Sequence, residues 1–183
     1  MFHSKALSLT LALTALCPVV ANASSTLKPT STALNLGYAV KGGNGNLGNL
    51  DNNAFRIAQA PYFGTLHRLV RTTSAFTSPL LHPASISVDL VARTVTLGAF
   101  RVRVFLADRT NGVNTFGPLN EVVRDAVIKP GYTHYKGLAT GKIDRHVGLD
   151  GSMAVRVEVE QVGFAAVFTN MFDFDQLTVT VAQ

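Results

Sequence analysis

Phe172-Asp173-Phe174-Asp175-Gln176-Leu177-Thr178-Val179-Thr180-Val181 is the stretch that decides the fold class of this chain. Phe172 and Phe174 alternate with two aspartates, and Leu177, Val179 and Val181 then alternate with Thr178 and Thr180. Successive side chains on a strand point to opposite faces, so period two with one apolar set describes a half-buried strand. The apolar positions move from even to odd numbers near Gln176. One inserted residue, a β-bulge, keeps both halves facing a single core, and a bulge is expected there.

The same rhythm recurs upstream. Ile86, Val88 and Leu90 alternate with Ser87 and Asp89; Phe100, Val102, Val104 and Leu106 with Arg101, Arg103 and Phe105; Met153, Val155, Val157 and Val159 with Arg156, Glu158 and Glu160. β-Branched residues at period two, separated by Asn111-Gly112, Gly117-Pro118, Pro130-Gly131 and Asp150-Gly151, read as strands joined by turns. Asn120 to Lys129 carries Val122, Val123, Ala126 and Val127 at helical spacing before Pro130. It fits a short helix or a strand over 124–129, and its β surroundings favour the strand. Residues 42–53 hold four glycines and five asparagines, a composition expected to form an exposed loop. The expected fold is all-β: a two-sheet antiparallel β-sandwich, jelly-roll-like, of about eight or nine strands.

Lys5 precedes an apolar run from Ala6 to Val20, and Ala21-Asn22-Ala23 supplies small residues for a peptidase. This is the layout of a secretory signal peptide. The run falls short of the roughly 20 apolar residues that span a bilayer. The expected organisation is a signal peptide at 1–23, a flexible Ser/Thr-rich leader at 24–35 and one β-sandwich domain at 36–183. Export, to periplasm, cell surface or medium, follows from that layout. Cys17, the single cysteine, lies inside the signal, so the mature chain has no disulfide, thiolate metal site or cysteine nucleophile. Without its first 23 residues the 183-residue chain keeps 160, and 15 of its 16 Lys and Arg face 11 acids. The cations are scattered, with no focused patch of the kind nucleic-acid binding needs. No transmembrane segment is expected in the mature chain.

From Ile86 onward the layout resembles the jelly-roll, galactose-binding-like domains of exported proteins, which include many carbohydrate-binding modules. Three pieces carry the resemblance: the paired runs Ser85–Val91 and Phe100–Ala107, the segment Val127-Ile128-Lys129-Pro130-Gly131-Tyr132-Thr133-His134-Tyr135, and the closing run from Phe172. It implies a glycan or other surface polymer as partner and, in some members, a structural calcium. Calcium takes six to eight oxygen ligands, and Asp51, Asp173 and Asp175 are the candidate carboxylates. The chain has no Trp, so a saccharide platform falls to Tyr62, Phe63, Tyr132 and Tyr135, with His134 between the last two. A second candidate surface is the Arg101/Arg103 face, with Phe105 expected as an exposed aromatic beside it. Glu158 and Glu160 are alternative cross-strand partners for those arginines.

Catalytic patterns are weak. His67, His82, His134 and His146 show no ligand spacing, and no G-x-S-x-G elbow occurs. The reading that follows is an exported, non-catalytic sandwich binding a glycan or surface polymer. A self-associating structural or adhesive subunit of the envelope or biofilm matrix, and a hydrolase acting on extracellular polymer, are its alternatives.

Overall fold

The computed structural model describes residues 23–36, 44–47, 55–59, 62–65, 68–95, 99–162, 164–165 and 170–183. Thirteen strands run through them: β1 (Ser24–Leu27), β2 (Ser31–Leu36), β3 (Asn44–Leu47), β4 (Phe55–Gln59), β5 (Tyr62–Thr65), β6 (Arg68–Thr77), β7 (Ser85–Thr94), β8 (Ala99–Leu106), β9 (Glu121–Val127), β10 (Thr133–Leu138), β11 (Ser152–Val162), β12 (Phe164–Ala165) and β13 (Asn170–Ala182). Helical geometry among the described residues is confined to two 3-10 turns, Pro118–Asn120 and Ile143–His146.

The strands form two main antiparallel sheets. One has six strands in the order β10-β7-β13-β4-β3, with β1 added to β13; the other has five, β2-β6-β11-β8-β9. β5 and β12 pair separately. The long last strand organises the first sheet. It pairs with β7 along one side, while its other side takes β4 at 170–174 and β1 at 179–182.

The alternation does what the sequence implied. Ile86, Val88, Leu90, Leu177, Val179 and Val181 point inward from the first sheet. Val102, Val104, Leu106, Met153, Val155, Val157 and Val159 meet them from the second. All are 2% exposed or less. At about 1.5–3 kcal/mol per fully buried side chain of this size, these rows are the main source of stability in a chain without cross-links.

The anticipated bulge in β13 is present, and β9 holds a second irregularity that was not expected. The β13–β7 register shifts between Phe174 and Gln176, so Asp175 is the extra residue and Phe174 and Leu177 are both buried. Residues 121–127 are a strand, as favoured, with a bulge of their own. Val104 pairs with Val123 but Val102 with Ala126, leaving one extra residue on β9. Asp125 lies there with φ 40, a left-handed conformation that Asp tolerates better than most residues.

Two segments expected to be irregular contain strands. The Ser/Thr-rich leader is one: β1 pairs with β13 and β2 with β6, in different sheets. Short Ser/Thr-rich strands carry little apolar signal, and their pairing comes from edges that longer strands leave open. The glycine- and asparagine-rich segment is not all loop, because Asn44–Leu47 pairs with β4 at the sheet's edge. The longer strands make up the expected two-sheet sandwich, and the additional ones are short edge pieces and the separate β5–β12 pair. The signal region at 1–22 lies outside the described residues. No helix among the described residues is long and apolar enough to cross a membrane.

The edges of the two sheets approach where β10 meets β9. A Cβ built on Gly137 would lie 2.1 Å from the Val122 carbonyl oxygen. The absence of a side chain is what lets β10 seat against the opposite layer there.

Candidate functional site: the outer face of the six-stranded sheet

β10, β7 and β13 lie side by side, and their outward positions form a polar face with one aromatic group. Tyr132, in the turn before β10, is 50% exposed. The Arg93 guanidinium on β7 sits over its ring, 4.3 Å from the centroid. Arg93 is itself fixed: Nε and Nη2 donate to the same Oδ2 of Asp173 at 3.1 and 3.0 Å. Asp173 is the direct cross-strand partner of Arg93 and is buried. A buried carboxylate thus orients an arginine, which orients an exposed tyrosine. Charge-assisted bonds of this kind are the stronger hydrogen bonds of proteins, and cation–π contact adds about 0.5–1 kcal/mol at exposed sites.

The next positions along β10 continue the face. His134 Nδ1 lies 3.0 and 2.9 Å from the two oxygens of Asp89. Lys136 pairs in register with Asp89, its Nζ 3.8 Å from Oδ2. Gln176 and Thr178 on β13 stand opposite Val91 and Asp89. Tyr132, His134 and Lys136 therefore form an outward row of one aromatic and two hydrogen-bonding groups, backed by acids and hydroxyls on the next strands.

The remaining sequence candidates separate. Tyr135 points the other way: it is 8% exposed, its ring belongs to the core, and its hydroxyl accepts the Lys129 N–H at 2.9 Å. It is therefore not part of the outward row. Arg101 and Arg103 lie on the outer face of the other sheet, away from Tyr132 and His134. Arg103 Nη2 and Arg71 Nε grip the two oxygens of Glu158 at 3.0 and 2.8 Å, and Arg101 meets Asp125 at 3.3 Å. The cross-strand alternative thus holds for Arg103. Phe105 is buried at 7% exposure, not exposed as expected. Its cross-strand partner Arg156 is stacked under Phe116 at 3.9 Å, which places the 107–120 loop near this face.

Tyr62 and Phe63 fall in β5, whose backbone alone is described. Asp51 lies outside the described residues. Asp173, a candidate calcium ligand, is engaged by Arg93, and Asp175 is the extra residue of the β13 bulge. Among the described residues no group of three or more His, Cys, Asp or Glu side chains gathers as metal ligands would. Sequence reasoning missed Asp89, Lys136 and Thr178 as site residues and, above all, Arg93. Nothing local marks it; its role comes from its register with Asp173.

No family model matches the chain, and no curated protein matches it. Solved structures do. A xylan-binding module of family 15 is similar over 88% of this chain and 98% of its own, with a TM-score of 0.48 and 12% identity. TmCBM61, in complex with β-1,4-galactotriose, is similar over 83% and 89%, with a TM-score of 0.44 and 12% identity. Both are carbohydrate-binding modules. A xyloglucanase domain of NopAA from Sinorhizobium fredii, in complex with cellobiose, is similar over 86% and 97%, with a TM-score of 0.43 and 13% identity. These likenesses concern the arrangement of strands, and a functional reading has to stand on the side chains.

Proposed function

We propose that the mature chain is an exported, non-catalytic glycan-binding protein that meets a polysaccharide on the outer face of its six-stranded sheet. One observation carries the reading: an exposed tyrosine is held in place by an arginine that a buried aspartate anchors. Aromatic rings with a polar tip suit the C–H faces and hydroxyls of sugars, and preorganisation of such a group lowers the entropy lost on binding. His134, Lys136, Asp89 and Thr178 then supply donors and acceptors one strand spacing apart. A neighbour named for xylan binding and another holding β-1,4-galactotriose suggest which polymers to try first. The reading of a subunit that lends its leader to a neighbour has less support, since β1 and β2 are paired within their own chain.

The test is affinity electrophoresis of the mature protein in gels containing xylan, galactan or mixed-linkage glucan. Retardation by at least one polymer is expected, with Tyr132→Ala weakening it about tenfold and leaving the melting temperature within a few degrees. No retardation by any polymer, or an unaffected Tyr132→Ala, would sink the proposal.

A further inference from the structure

Three loops meet at one end of the sandwich: 78–84 before β7, 107–115 after β8 and 139–151 before β11. Between them lies a cavity of about 270 Å3 whose walls include Leu81, His82, Arg109, Lys142, Arg145 and Leu149. An adjoining lobe of about 290 Å3 shares Arg109 and Leu149. No residue of the Tyr132 face lines either lobe. The size lies just below the range of about 300–1,000 Å3 typical of small-molecule sites, so it suits a single sugar ring better than a chain.

The cations of this cleft are held by neutral groups. Arg109 donates from Nη1 to Asn114 Oδ1 at 2.7 Å and from Nη2 to Ser152 Oγ at 2.6 Å, while its buried Nε has no partner. Arg145 donates to the Leu119 carbonyl at 2.9 Å and to His146 Nε2 at 3.3 Å. Neither arginine, nor Lys142, forms a salt bridge with any described carboxylate. Two acids are themselves wall residues, Asp144 of the cleft and Asp150 of the lobe, and with Asp108 they are engaged elsewhere. Asp108 accepts the Thr110 N–H, Asp150 accepts the Ser152 N–H, and Asp144 lies 4.0 Å from His82. These acids soften the local field without capping the guanidinium and ammonium groups. Beside them stand two exposed aliphatics, Leu149 at 98% and Leu81 at 46%. Apolar surface beside cations without ion-pair partners matches a ligand with a C–H face and an oxyanion.

We propose that this cleft binds an acidic sugar, a hexuronate unit, through its carboxylate. Lys142, Arg109 and Arg145 face the carboxylate, and Leu81 and Leu149 pack against the ring. The site is separate from the Tyr132 face and does not depend on the reading of that face.

The mature protein is titrated calorimetrically with galacturonate, galactose and inorganic sulfate. Galacturonate is expected to bind at least tenfold more tightly than galactose and to weaken as salt rises. Lys142→Glu, at an exposed position, lowers galacturonate affinity about tenfold, and Leu149→Asp lowers it further. Tyr132→Ala leaves it unchanged, which separates this site from the glycan face. Equal binding of galactose would overturn the carboxylate assignment. Sulfate binding as tight as galacturonate would overturn the sugar assignment, and insensitivity to Lys142→Glu would overturn the site itself.

Discussion

Gly137 offers the sharpest test of how the two sheets are closed. It sits in β10, on the inward face that also carries Tyr135 and opposite to the row of Tyr132, His134 and Lys136, where that strand presses on β9. An added Cβ would lie 2.1 Å from Val122 O, 2.5 Å from Val122 C and 3.0 Å from Val122 Cβ. The first two atoms are backbone, so no side chain can swing aside. The strands have to separate by roughly 1 Å at this point, given carbon–oxygen contacts of about 3.3 Å or more. Overpacking typically costs about 1–3 kcal/mol, and a backbone clash puts Gly137→Ala at the upper end, about 3 kcal/mol. For a domain of this size 1 kcal/mol shifts Tm by about 2–4 °C, so a fall of about 6–12 °C is expected. Gly117→Ala is the control. Nothing lies within 4 Å of the Cβ it would add, its backbone is extended, and its Tm should stay within about 2 °C. Scanning calorimetry of both variants decides the matter. A Gly137→Ala protein that melts like Gly117→Ala would refute the account of the seam.

Two further predictions concern stability. His146 is buried at 1% exposure, its Nδ1 2.9 Å from the Ala107 carbonyl, and burial holds its pKa below the ordinary 6.5. The unfolded chain therefore takes up the proton first as pH falls. The stabilisation is complete above pH 6.5 and drains away below it. Tm should drop between pH 7.5 and 5.0, and drop less in His146→Gln; parallel slopes for the two proteins would rule this out. At the β9 bulge, Asp125→Gly removes the left-handed penalty and should be neutral or stabilise slightly. Asp125→Val should cost about 1–2 kcal/mol, read as the difference in denaturant midpoints. Equal midpoints would mean that the bulge relaxes.

Both bulges left the same trace in the sequence. In β13 the buried positions jump from Phe174 to Leu177, and in β9 from Val123 towards Ala126 and buried Ile128. Each jump of three imitates a helical step. In β13 the long alternating runs on either side settle the meaning. In β9 the flanks are short, so helix and strand remained in competition until pairing with β8 was known. The edge strands had no such trace. β1 and β3 are four residues each, and they are strands because β13 and β4 offer them open edges. Pairing is a tertiary fact that local composition does not encode.

The site divides in the same way. Once Thr133–Leu138 is known to be a strand, parity alone separates Tyr132, His134 and Lys136 from Tyr135, because odd and even positions cannot share a face. That part was within reach of the sequence. The brace was not. Arg93 and Asp173 are 80 residues apart, and they meet because the β13–β7 register sets them opposite each other before the bulge shifts it. Downstream of the bulge Gln176, not Asp175, faces Val91. A register without the extra residue would carry the face on with the other parity, placing Leu177 or Asp173 in the wrong layer. The bulge thus does two things at once. It keeps Phe174 and Leu177 in one core, and it leaves Asp173 outward, under Arg93, where a tyrosine can be held against the sheet.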